Sequence, residues 1–228
     1  MALIAPSLMA ADFARLGEAL QLIKEAGASM VHVDVMDGHF VPEVSVGQPV
    51  IRSLRKATDL VLDVHLLVER PERFAGEFLE AGADRLAVHP ESTEHLPRLL
   101  ESIRARRAKA GVALNPATSV EAVSEVWGEI DFLTILASEP LVAAHQLDYR
   151  ARTVVKLRQA FKAREAGRYN FALQVEGGGV GFETLDELAR AGADILVADS
   201  DIFQDCNPAG RLKEMIRLAA TAGRISRV

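Results

Sequence analysis

The sequence repeats a four-residue pattern three times, as Ala26-Gly27-Ala28-Ser29, Ala81-Gly82-Ala83-Asp84 and Ala191-Gly192-Ala193-Asp194. Each copy follows a helical pattern and precedes a run rich in β-branched residues. Glycine just past a helix end favours the left-handed cap, after which the chain turns into a strand. The second copy starts 55 positions after the first and the third starts 110 positions after the second, which equals two and four units of about 27 residues. Repeated strand-then-helix units predict parallel strands joined by right-handed crossovers.

Eight candidate strands follow this repeat. We expect them near residues 3–8, 30–35, 60–67, 85–89, 111–115, 131–137, 171–176 and 194–199. Helical patterns lie between them, for example at Phe13–Ala26, Pro71–Ala81, Leu96–Ala110 and Thr184–Ala191. Eight units fit an α/β fold of the (β/α)8 TIM barrel type, and we predict one domain over residues 1–228. A doubly wound open sheet is the alternative, but no Gly-x-Gly-x-x-Gly follows the first strand.

Composition limits the classes of function. With 228 residues and 49% hydrophobic content the chain can bury a large core, and its net charge of −6 gives no reason to expect a nucleic-acid partner. The basic stretch from Arg104 to Lys109 is interpreted as a solvated helix face. Cys206 has no second cysteine to pair with, which fits a reducing compartment. Without a basic leader or a membrane-length apolar run, we expect a cytoplasmic protein with no membrane partner.

Two short strings, His32-Val-Asp34 and Asp63-Val-His65, interrupt apolar strands. Side chains at i and i+2 share one face of a strand, so each string places an imidazole beside a carboxylate. Burying such groups is costly unless they pair or bind a metal. A lone strand histidine is more often a hydrogen-bonded core residue than a ligand. Two matched pairs on neighbouring strands nevertheless favour a shared polar site.

Polar residues also collect where the predicted strands end, which is where TIM barrels carry their chemistry. They are Ser7, His32, Asp34, Asp63, His65, His89, Asn115, Glu176, Asp199 and Ser200. If His32, Asp34, His65 and Glu176 converge on one divalent ion, the ion would polarise a carbonyl and stabilise an enediolate. Carboxylates on opposite sides of the substrate could then remove and return a proton, and the product would be an epimer. Zn²⁺, Fe²⁺, Mn²⁺ and Co²⁺ all suit these ligands.

Several strings of the sequence occur in the same order in one family of enzymes. They are Ala5-Pro-Ser-Leu8, Ala11-Asp-Phe13, His32-Val-Asp-Val-Met-Asp-Gly-His-Phe-Val-Pro42, Asp63-Val-His-Leu66, Ala81-Gly-Ala-Asp84, Val88-His-Pro90 and Asn115-Pro-Ala-Thr118. From about residue 3 to 217 the chain thereby resembles the ribulose-phosphate 3-epimerase family. The resemblance implies a TIM barrel, one divalent metal ion, a small sugar substrate and a homo-oligomer.

The resemblance also implies roles for single residues. Metal ligands are implied at His32, Asp34 and His65, and at the strand-seven position that Glu176 occupies. Asp34 and Glu176 are the implied catalytic acid–base pair. Substrate contacts are implied at Ser7 and His65, with Met36 in an apolar wall near the enediolate.

Three departures from the family concern the strand-seven ligand and the pocket for the substrate tail. The family's strand-seven aspartate is Glu176 here, which keeps the charge but is longer by a methylene. The family's Asn-Pro-Gly-Phe-Gly-Gly loop aligns without gaps to Glu139-Pro-Leu-Val-Ala-Ala144, which has no glycine. Its strand-eight Gly-Ser becomes Asp199-Ser200. A carboxylate at roughly 4–8 Å opposes a phosphate dianion by about 1 kcal/mol or more.

These departures leave three hypotheses open. The first is a metal-dependent ketose 3-epimerase with a modified tail pocket formed by Glu139, Gly177, Gly178, Gly179, Asp199 and Ser200. Its substrate would be non-phosphorylated or would bear an amine. The second is an ordinary D-ribulose 5-phosphate 3-epimerase with a remodelled phosphate loop. The third is a catalytically idle paralogue that binds a ligand.

Overall fold

A computed structural model describes residues 2–138 and 150–222. Within them, eight strands occur close to the predicted places. They are β1 Leu3–Pro6, β2 Met30–Met36, β3 Val61–Leu67, β4 Arg85–Val88, β5 Lys109–Leu114, β6 Phe132–Leu136, β7 Ala172–Glu176 and β8 Ile195–Ala198.

Helices alternate with these strands. The α-helices are α1 Leu16–Ala26, α2 Gln48–Ala57, α3 Ala75–Ala81, α4 Leu96–Ala105, α5 Arg150–Gly167, α6 Leu185–Ala191, α7 Ser200–Phe203 and α8 Pro208–Thr221. Short 3-10 helices occur at Leu8–Ala10, Phe13–Arg15, Pro71–Arg73, Pro90–Ser92 and Val120–Val126. The predicted helices at 13–26 and 71–81 therefore each begin with a 3-10 turn.

The strands form one parallel sheet that is nearly closed. Its order is β1-β8-β7-β6-β5-β4-β3-β2, and each pairing between neighbours is parallel. A parallel bridge between Ser7 and His32 brings the two outer strands together. The predicted TIM barrel is confirmed. A single domain over residues 1–228 stays a prediction, because residues 1, 139–149 and 223–228 lie outside the described part.

The helix ends predicted from the Ala-Gly-Ala repeat are confirmed. Gly27, Gly82 and Gly192 end α1, α3 and α6, with φ values of 95°, 114° and 116°. An L side chain is strained in this left-handed region, which is why glycine ends these helices. Each glycine turns the chain directly into the next strand.

One helix boundary and one surface prediction were wrong. The helix predicted to run to Ala110 ends at Ala105, and β5 already begins at Lys109. Between them Arg107 adopts a φ of 64°, which a continuous helix does not allow. The basic stretch 104–109 is therefore a helix end, a turn and a strand start, and not one helix face.

Alternation along β2 separates the core from the site. Val31, Val33 and Val35 are buried in the large apolar cluster that the helices share with the sheet. His32 and Asp34 have the opposite orientation and lie inside the barrel. None of the helices in the described part is both long and apolar enough to cross a membrane.

Candidate metal centre

Three strands bring four polar side chains together inside the barrel. His32 and Asp34 come from β2, His65 from β3 and Glu176 from the last position of β7. In the β2–β3 register Asp34 stands opposite His65. All four are buried, with exposed fractions between 0% and 7%. The structure thus brings together every residue predicted as a metal ligand.

The four side chains point ligand atoms at one another. Nε2 of His32 lies 3.1 Å from Oδ1 of Asp34 and 3.2 Å from Oε2 of Glu176. Nδ1 of His65 lies 2.9 Å from Oε1 of Glu176 and 3.3 Å from Oδ1 of Asp34. One ligand atom from each residue falls within 4.8 Å of the others.

This donor set fits a divalent transition-metal ion. Two imidazole nitrogens and two carboxylate oxygens are ligands that Zn²⁺, Fe²⁺, Mn²⁺ and Co²⁺ accept, and the two carboxylates balance the charge of the ion. Oε2 of Glu176 is buried and has no hydrogen-bond partner among the described residues, although Nε2 of His32 lies 3.2 Å away. A buried carboxylate oxygen is costly in that state, so its position favours a cation between the four groups.

A buried network orients His32. Nδ1 of His32 lies 2.8 Å from Oδ2 of Asp63, so its Nε2 is left for the cluster. Arg85 donates through Nε to Oδ1 of Asp63 at 2.8 Å and through Nη2 to Gln174 at 2.8 Å. Gln174 in turn donates to Oδ2 of Asp63 at 2.9 Å. A carboxylate on the second imidazole nitrogen is the usual way in which proteins fix a ligating histidine.

The pKa values show how negative the site is. Burial would lower the pKa of both histidines, but the charges of Glu176 and Asp34 outweigh it. The pKa of His32 is raised well above its usual range and that of His65 to about 9. Burial would raise the pKa of Asp63, yet the charge of Arg85 and the bond to His32 hold it well below its ordinary value. The cluster therefore favours positive charge at its centre.

Two predicted substrate contacts flank the cluster. The Ser7 hydroxyl donates to Oδ2 of Asp34 at 3.2 Å. Met36 is buried at the end of β2, in an apolar group with Val41 and Leu67. The substrate contacts that the sequence predicts for these two residues stay predictions.

The predicted tail-pocket residues follow β7 and β8, which are paired. Gly177 has a φ of 108°, and the amide of Gly178 donates to the Ser138 hydroxyl at 3.0 Å. Asp199 precedes α7, and its carboxylate accepts from the amide of Ser200. Glu139 lies outside the described residues.

Sequence reasoning missed Arg85 and Gln174 in this network, and also Glu91, whose Oε2 lies 3.4 Å from Nδ1 of His89. Arg85 stands opposite Asp63 in the β3–β4 register, and Gln174 lies two positions before Glu176 on the same face. The i, i+2 rule that singled out His32 and Asp34 would have found Gln174 as well. Arg85 gave no such signal, because its role depends on the register between two strands.

Comparison with known proteins agrees with this geometry. The model of the ribulose-phosphate 3-epimerase family matches residues 3–203. The chain belongs to this family. A ribulose-phosphate 3-epimerase from Bacillus subtilis is 38% identical over 200 residues, covering 88% of this chain and 91% of that relative. One from Treponema pallidum is 40% identical over 200 residues, covering 88% and 90%. The chain is thus an isomerase, of the class of epimerases that act on carbohydrates.

Solved structures add evidence on the fold alone. A thiamine phosphate pyrophosphorylase from Pyrococcus furiosus superposes with a TM-score of 0.66 at 16% identity, over 96% of this chain and 95% of that chain. An orotidine 5'-phosphate decarboxylase from Pyrococcus horikoshii gives a TM-score of 0.66 at 16% identity, over 96% and 99%. At such low identity these similarities carry no inference about substrate.

Replacing Arg85 by Met tests the buried network. The variant leaves the Asp63 carboxylate without its cation, so we expect the free energy of unfolding to fall by about 3–5 kcal/mol. Denaturant unfolding measures this change. Arg190→Met is the matched control, because Arg190 pairs with Asp186 at the surface and its loss costs about 0.5 kcal/mol or less. Equal losses in the two variants would contradict the account.

Proposed function

We propose that this protein is a divalent-metal-dependent 3-epimerase of a ketose, in which Asp34 and Glu176 carry the protons. The observation that carries the proposal is the buried cluster of four ligand atoms within 4.8 Å of one another. The cluster lies at the carboxyl ends of barrel strands, where TIM-barrel enzymes hold their substrates. The family membership supports the same reaction class.

The residues around the cluster would have distinct roles in the reaction. His32, His65, Asp34 and Glu176 would hold the ion. When bound, such an ion polarises a carbonyl and lowers the barrier to removing the adjacent C–H proton. The hydroxyl of Ser7 holds the second oxygen of Asp34, so this carboxylate keeps one orientation. The apolar group around Met36 would limit water near the reacting carbons.

Asp34 and Glu176 would act from two directions. They come from β2 and β7, which are separated around the barrel by other strands. One carboxylate can remove a proton from one face of the substrate while the other returns a proton to the opposite face. The extra methylene of Glu176 does not take it away from the cluster, because Oε1 lies 2.9 Å from Nδ1 of His65.

The hydrogen bonds and charges of the predicted tail-pocket residues favour a substrate without a phosphate group. The Asp199 carboxylate already accepts from the Ser200 amide, and the Gly178 amide is used by Ser138. Asp201 accepts from the amide of Phe182 at 2.9 Å and adds another carboxylate to this segment. Backbone amides occupied in this way are not available to an anion. Neutral hydroxyl or ammonium groups suit these carboxylates better than a phosphate dianion.

A second candidate is D-ribulose 5-phosphate itself. It is favoured by the relatives of 35–40% identity, whose names are ribulose-phosphate 3-epimerase. The idle-paralogue hypothesis is set aside, because it gives no reason for four buried ionisable groups to converge. A homo-oligomer and a cytoplasmic location stay predictions.

Removing one proton carrier at a time tests the two-base proposal. In Asp34→Asn and in Glu176→Gln we expect epimerisation to fall by about 10²–10⁴-fold, the usual contribution of a positioned acid or base. In D₂O, each variant should still exchange the C3 proton of only one epimer, and the epimer should differ between the variants. Proton NMR follows exchange and inversion together, at matched metal content. Exchange from the same epimer in both variants would contradict the proposal.

A substrate comparison tests the tail pocket. We expect the metal-loaded protein to exchange the C3 proton of D-ribulose faster than that of D-ribulose 5-phosphate. Asp199→Asn should raise kcat/KM for the phosphorylated sugar about tenfold, because it removes one opposing charge. Asp205→Asn, an exposed aspartate in the same segment, is the control. Preference of the unaltered protein for D-ribulose 5-phosphate would overturn the tail proposal and leave the epimerase chemistry in place.

A further inference from the structure

His89 lies directly behind the cluster of four side chains proposed to bind the metal. It follows β4, is fully buried, and its ring stacks on that of His65 with centroids 5.0 Å apart. The ring of Phe40 packs on another side of His89, with the two ring centroids 4.8 Å apart. The Nε2 atoms of His65 and His89 are 2.9 Å apart, so the two rings share a hydrogen bond.

The direction of that bond decides whether His65 can bind a metal. A neutral imidazole carries one proton, on Nδ1 or on Nε2. Nδ1 of His65 faces Asp34 and Glu176, and it must be unprotonated to act as a ligand. His65 must then donate through Nε2, and His89 must accept. The proton of His89 is consequently on Nδ1.

Glu91 stands at the other end of His89. Its Oε2 lies 3.4 Å from Nδ1 of His89, a buried nitrogen that has no hydrogen bond within the described residues. The carboxylate is held in place, because its Oε1 accepts from Asn115 at 3.1 Å and from the hydroxyl of Thr118. A fixed carboxylate facing Nδ1 favours the tautomer of His89 in which Nδ1 carries the proton.

We propose that His89 and Glu91 are positioning residues that hold His65 in its metal-binding tautomer. The inference rests on the proposed metal-dependent function. His32 is oriented by Asp63 directly, whereas His65 is oriented by a carboxylate that acts through a second imidazole. The metal centre would thus depend on a side chain outside the barrel interior, since Glu91 lines a cavity of about 650 Å³ beside the β3 and β4 loops.

The partial exposure of Glu91 makes the proposal testable without disturbing the core. Its side chain is 31% exposed, whereas His89 is fully buried and His89→Phe carries a risk of misfolding. Glu91→Leu removes the acceptor. Glu91→Gln keeps a carbonyl oxygen that can accept the same proton. Glu94→Leu replaces an exposed glutamate on the same loop and is the matched control.

The experiment measures Zn²⁺ affinity by chelator competition and reads the histidine tautomers by ¹⁵N NMR of the Zn²⁺-loaded protein. We expect Glu91→Leu to weaken Zn²⁺ binding about tenfold, as loss of an outer partner of a ligating histidine does. Glu91→Gln should recover most of that loss, and Glu94→Leu should match the unaltered protein. The spectra should show the proton of His65 on Nε2 and that of His89 on Nδ1.

Two results would overturn the proposal while Zn²⁺ still binds. They are an unchanged Zn²⁺ affinity in Glu91→Leu and a proton on Nε2 of His89. Absence of Zn²⁺ binding in every protein, including the Glu94→Leu control, would overturn the proposed metal-dependent function along with this inference. A general loss of structure in Glu91→Leu would be recognised by its NMR spectrum. The Glu91→Gln variant is then used instead: a proton on Nδ1 of His89 would support the proposal, and a proton on Nε2 would overturn it.

Discussion

The pairing register between β2 and β3 is the constraint on which the site depends. It sets His32 opposite Asp63 and Asp34 opposite His65. Because side chains alternate along a strand, a slip by one residue would turn these groups toward the helices and bring valines into the barrel. The apolar face of β2, which packs under the helices, therefore holds the proposed metal ligands in place. Packing and chemistry use the same register.

Charge balance explains why such a polar interior is tolerated. The negative charge of Asp63 is balanced by Arg85, and Gln174 donates a hydrogen bond to it. Cζ of Arg85 also lies 3.9 Å from the centroid of the Phe132 ring. Among the described residues, Asp34 and Glu176 have no Lys or Arg partner, and they face the imidazoles of His32 and His65. A divalent ion would complete the balance. The buried network of Asp63, Arg85 and Gln174 thus stabilises the fold, whereas Asp34 and Glu176 are left for the proposed function.

Much of this arrangement could be predicted from the sequence, and the reasons are local. The Ala-Gly-Ala repeat marks helix ends, and the i, i+2 spacing of His32 and Asp34 marks a shared face. The end of a predicted strand marks Glu176 as a candidate, and the resemblance to a family implies its role as a ligand. Arg85 could not be predicted, because its partner Asp63 is distant in sequence and depends on strand register. Glu91 could not be predicted either, because it lies in the 3-10 turn Pro90–Ser92, where the spacing rule for strands does not apply. The helix predicted to reach Ala110 was wrong, since no apolar pattern signals the turn at Arg107.

An anomalous-diffraction measurement on crystals grown with Co²⁺ tests the central claim most directly. We expect one strong peak, at about 2.0–2.2 Å from Nε2 of His32, Nδ1 of His65 and carboxylate oxygens of Asp34 and Glu176. No peak among these four side chains at saturating Co²⁺, or a peak elsewhere in the protein, would contradict it.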